Sequence, residues 1–162
     1  MTDAVRQLHD ARQLKRLRAL RERKALTALR QAETAVREAE AALAVRQATM
    51  TRLQTERDAL SQRIVGDCAA RMGRLADYAS ATQADLDDQL ERTEYALIDD
   101  EDALAEARDK AAAARAAWLR AVSQSGSAET LVGDARKSVQ RERDTRLDRE
   151  DAPARVSPLT VF

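Results

Sequence analysis

Residues 25–64 read ALTALRQAETAVREAEAALAVRQATMTRLQTERDALSQRI. Leu29, Val36, Leu43 and Met50 recur every seventh residue, and Ala32, Ala39, Arg46 and Leu53 follow each by three, with Leu60 one heptad further on. Taken as a and d positions, these residues form a seam of period 3.5, the pattern of a helix that packs lengthwise on another helix. Gln31, Glu33, Arg37, Glu38, Glu40 and Gln47 fill the other faces, and no Gly or Pro interrupts the run. The stretch is a long coiled-coil helix.

Toward the N-terminus the same positions hold Leu8 and Ala11, then Lys15, Arg18 and Glu22. Leu14, Leu17 and Leu20 form a stripe displaced from the seam, which sets apolar surface beside a run of cations where a partner could use it. Thr2 and Asp3 suit the helix start as N-caps. Toward the C-terminus, Gly66 and Gly73 each weaken a helix by about 1 kcal/mol, so a bend is expected near residues 66–74. A second helix is expected from about Leu75. Its ladder is Leu90, Leu97, Leu104, Ala111 and Trp118, with Leu86, Thr93, Asp100, Ala107, Ala114 and Ala121 as companions. Val132, Val139, Ala128 and Ala135 keep that phase across Ser123-Gln-Ser-Gly-Ser127, which a loop would have no reason to do. The helix is therefore expected to reach about Glu150. Pro153 and Pro158 then end it, and residues 151–162 read as an extended tail.

The expected fold is all-α: residues 1–150 form a long antiparallel two-helix coiled-coil hairpin. One register places Leu43 opposite Leu104, Met50 opposite Leu97, Val36 opposite Ala111, Leu29 opposite Trp118 and Leu53 opposite Thr93. It also sets Arg46 against Asp100, the two charges that interrupt the seams at mid-length, as a register pair of opposite sign. A slip of one heptad would leave both without that match, which is unfavourable for partly buried charges. At about 1.5 Å per residue such a hairpin would be a rod on the order of 100 Å long.

The totals agree with a thin seam. The chain has 162 residues, 35% of them charged and 2% aromatic, too few large apolar side chains for a thick globular interior. Formal net charge is zero but polarised. Arg6, Arg12, Lys15, Arg16, Arg18, Arg21, Arg23, Lys24 and Arg30 face only Asp10 and Glu22 within their span, whereas Asp77 to Asp109 carries many carboxylates against Arg92 and Arg108. Such asymmetry lets a partner distinguish one end from the other.

No catalytic constellation is evident. His9 is the single histidine and sits near a terminus, and Cys68 has only Asp67 and Arg71 nearby, too little to activate a thiol. The acidic group Asp99 to Asp102 lies in a helical run and cannot wrap a calcium ion as a loop does. No catalytic residue, metal site or cofactor is expected. Nucleic acid is disfavoured as a partner, since the chain lacks stacking aromatics and overall basic charge. The lone cysteine fits a reducing compartment, the N-terminus lacks a signal-like apolar core, and no run approaches the roughly 18 apolar residues of a membrane span. A cytoplasmic protein is expected.

The segment Leu14-Lys-Arg-Leu-Arg-Ala-Leu-Arg-Glu-Arg-Lys-Ala25-Leu26, followed by an Ala-, Glu- and Arg-rich heptad helix, resembles the N-terminal half of the YscO/FliJ family, the small stalk proteins of type III secretion and flagellar export. The likeness spans most of the chain as architecture and some 20 residues as motif; the Pro-containing tail departs from it. The resemblance implies a central-stalk protein that inserts into the hexameric export ATPase ring by the end bearing both termini. It also implies contact with the export gate protein and, in some members, with secretion chaperones. The location implied is the cytoplasmic face of the inner-membrane apparatus, with the membrane engaged only indirectly. Lys15, Arg16, Arg18, Arg21, Arg23 and Lys24 would then lie near the inserted end and bind the ring. The rival reading is a generic coiled-coil scaffold or adaptor that forms a dimer.

Overall fold

The computed structural model describes residues 3–66 and 72–151. They form two helices, α1 (Asp3–Val65) and α2 (Met72–Asp151), and no strand. Ala, Arg, Glu, Gln and Leu lose little side-chain freedom in a helix, which suits runs of this length. Asp3 lies in the first turn of α1, while Arg63 and Arg149 lie in the last turns of α1 and α2, each matching the helix dipole. The helix end at Val65 coincides with Gly66, whose amide still donates to the Gln62 carbonyl at 2.9 Å.

Two boundaries differ from the sequence reading. The second helix begins at Met72, a few residues before Leu75, so Gly73 lies inside it; one glycine near a helix start costs less than the hydrogen bonds gained by continuing. At the other end α2 includes Asp151. Cys68 and the rest of 67–71, together with the tail from 152 onward, lie outside the described residues.

The chain divides into two compact units, one comprising Met1–Thr27 with Ala116–Phe162, the other Ala28–Arg115. In the second unit, four ion pairs cross between the helices. Glu33 meets Arg115 (3.8 Å), Glu40 meets Arg108 (3.0 Å), Arg46 meets Asp100 (3.0 Å) and Arg57 meets Asp87 (3.9 Å). As the number rises on α1 it falls on α2, so the helices run antiparallel: a two-helix hairpin. Leu53, Leu86 and Leu90 form the buried cluster, with Met50 and Leu60 packed on it. Leu90 and Leu86 lie one and two turns nearer the bend than Thr93, the residue set opposite Leu53 above. Thr93 is buried as well, but its hydroxyl donates back to Gln89 O at 2.7 Å. Satisfying a hydroxyl within its own helix leaves the leucines to remove apolar surface from water.

In the first unit, Lys15 of α1 pairs with Glu129 of α2 at 2.5 Å. Gln7, Ala11 and Leu14 line a shallow groove with Leu131, Ala135 and Ser138. Ala4, Ala128, Val132 and Val139 supply the buried positions. Residues 123–127 are helical, and the seam phase persists on both sides of them. Beyond Val139, residues 140–150 of α2 are exposed throughout.

Candidate partner-binding surface

The basic run of α1 splits by helical phase into two sets. Lys15, Arg18 and Glu22 occupy seam positions and are half-buried. Arg16, Arg21, Arg23 and Lys24 point away and are exposed. The seam set is committed to the fold: the Lys15 ammonium pairs with Glu129, and the Arg18 Nε is buried with no hydrogen-bond partner among the described residues. The hydrogen bond from Lys15, reinforced by its charge, holds the Glu129 carboxyl below its ordinary value. Glu106 is held low in the same way by Lys110, one turn along α2.

The outward set is uncommitted. Among the described residues, Arg16, Arg21, Arg23 and Lys24 form no ion pair. Between them stand Leu17 and Leu20, 56% and 53% exposed. Of the displaced leucine stripe, only Leu14 gains partial cover, in the groove facing Leu131. Of the six candidate cations, four therefore share an open face with two leucines, and two are turned toward α2. Leucines of this size stranded in water amid cations are the anatomy of a contact surface: apolar area supplies affinity, and charge supplies orientation.

Comparison with family models, with curated proteins and with solved structures finds no match for this chain.

Arg46 and Asp100 lie together in the second unit, Nε to Oδ2 at 3.0 Å. Their side chains differ in exposure, 44% against 21%, so the carboxylate is the more enclosed partner. His9 is exposed and hydrogen-bonds Gln13 at 2.8 Å, one turn along its own helix. Trp118 is half-buried on the seam. No group of His, Cys, Asp or Glu able to hold a metal ion occurs among the described residues, and no described helix is long and apolar enough to cross a membrane.

One feature escaped the sequence reading. Tyr95 and Ile98 on α2 are 64% and 55% exposed, on a face flanked by carboxylates. The heptad phase carried the signal, since both residues fall off the ladder of Leu90, Thr93, Leu97 and Asp100.

Proposed function

We propose that this chain is a central-stalk protein of a type III secretion or flagellar export apparatus, one that couples the hexameric export ATPase to the export gate and performs no chemistry itself. The reading rests on the resemblance of residues 14–26 and the heptad helix after them. The observation that carries it is the open face of Arg16, Arg21, Arg23 and Lys24 around Leu17 and Leu20, four cations with no ion-pair partner among the described residues of a helical hairpin. Such a face suits an acidic lumen, where steering by charge speeds encounter. On this reading the protein works at the cytoplasmic face of the inner-membrane apparatus and in addition contacts secretion chaperones. The rival, a parallel dimeric scaffold, is disfavoured by the antiparallel ion pairs within one chain.

The test is the combined variant Arg16→Glu, Arg21→Glu, Arg23→Glu and Lys24→Glu, assayed for co-purification with the ATPase ring and for stimulation of its activity. Both should be lost while helicity by circular dichroism is unchanged, since none of the four touches the seam. Full stimulation by the reversed protein would return the cluster to ordinary solvated helix surface.

A further inference from the structure

Two nine-residue stretches on different helices carry the same layout with the charges inverted. On α1 the stretch is Arg16-Leu-Arg-Ala-Leu-Arg-Glu-Arg-Lys24; on α2 it is Glu94-Tyr-Ala-Leu-Ile-Asp-Asp-Glu-Asp102. Aligned position for position, Leu17 and Leu20 correspond to Tyr95 and Ile98. The exposed cations Arg16, Arg21, Arg23 and Lys24 correspond to the exposed carboxylates Glu94, Asp99, Glu101 and Asp102. Exposure follows suit: the third, fourth and seventh positions of both stretches lie on or beside the seam and are half-buried, and the positions named above are open. Among the described residues, none of these eight charges forms an ion pair.

On each helix the open positions form two adjacent rows at the spacing of helical neighbours. Arg16, Leu20 and Arg23 lie in one row, with Leu17, Arg21 and Lys24 in the next; Glu94, Ile98 and Glu101 lie beside Tyr95, Asp99 and Asp102 in the other helix. We propose that this chain associates with a second copy of itself by laying the basic Leu17/Leu20 face of one copy on the acidic Tyr95/Ile98 face of the other. With the two stretches running parallel, every charge in the rows meets one of opposite sign. Basic on basic or acidic on acidic repels outright. The contact joins unlike faces, so each copy can both give and receive. Its area is two helical turns, so the association is weak and dependent on salt.

The inference is independent of the secretion reading, although it uses the same cations: self-association covers the face that a ring would bind. The experiment is sedimentation of the full chain over a concentration series in low salt, with two variants. One reverses the basic face (Arg16, Arg21, Arg23 and Lys24 to Glu), and the other reverses the acidic face (Glu94, Asp99, Glu101 and Asp102 to Lys). Wild-type mass should rise with concentration and fall back to monomer near 1 M salt, where the screening length is about 3 Å. Each variant alone should stay monomeric with unchanged helicity, and an equimolar mixture of the two should associate again. A wild type that is monomeric throughout, a variant that still self-associates, or a mixture that stays monomeric overturns the proposal. The acidic-face variant also separates the two readings, because ring binding should survive in it while self-association is lost.

Discussion

At the scale of single residues, the seam holds charges in two different circumstances. Arg46 and Asp100 meet across the helices, but Arg46 remains 44% exposed, so water screens the pair. A double-mutant cycle with Arg46→Leu and Asp100→Leu should give a coupling of about 0.2–1 kcal/mol in urea denaturation, the range of exposed pairs. Strictly additive effects would show that the pair does not set the register. Arg18 is the opposite case, with a buried Nε that lacks a hydrogen-bond partner among the described residues. Arg18→Met keeps the stem and removes the orphan donor, so it should raise stability by about 1 kcal/mol in the same assay. Glu129 titrates below the ordinary 4.5 because of Lys15. Its folded value lies below its unfolded one, so the contribution is present above the unfolded value and is lost as pH falls through the folded one. The melting temperature of wild type should therefore exceed that of Glu129→Gln at neutral pH, and the gap should close below about pH 4.5. A gap that persists at low pH would refute the ion-pair origin.

At the scale of elements, α2 carries glycines where nothing in the packing asks for them. A Cβ added at Gly126 or Gly133 would meet no atom within 4 Å. Replacing both with Ala should stabilise the helix by about 0.8–1 kcal/mol per site, read from the urea midpoint at constant slope. Gly66→Ala serves as the contrast, because its Cβ would sit 3.2 Å from the Gln62 carbonyl at the helix end. No comparable gain is expected there. Continuity through residues 123–127 was legible from the heptad phase alone, since register is a property of spacing and survives weak helix formers. The boundary at Met72 was not legible, because helix ends are decided by local hydrogen bonding that a period does not report.

At the scale of the whole molecule, the two units differ in what holds them. One has the Leu53, Leu86 and Leu90 cluster; the other has Lys15, Arg18 and Glu22 on its seam, beside Ala128 and Val132. Polar seam residues stabilise less than leucines do, so local opening should begin in the unit containing the termini. Native-state hydrogen exchange should find amides of residues 12–24 and 123–133 less protected than those around Leu53 and Leu90. Equal protection in both would mean that the polar seam costs nothing. Such an unevenly held hairpin, with uncommitted cations on the weaker unit, fits a protein that works by docking.

The sequence by itself determined the all-α hairpin, the phase of both helices and the place of every charge along the chain. A heptad period is written in covalent order, and so few large apolar residues suit a thin two-helix seam. Only the tertiary structure decided which seam residues lose water and which charges find partners. Lys15 meets Glu129 while Arg16, its neighbour in sequence, is exposed and pairs with no described residue. Leu53, Leu86 and Leu90 lose water together as one buried cluster. Those outcomes depend on how the second helix lies against the first, a non-local relation set by side-chain volume and hydrogen bonding across the seam.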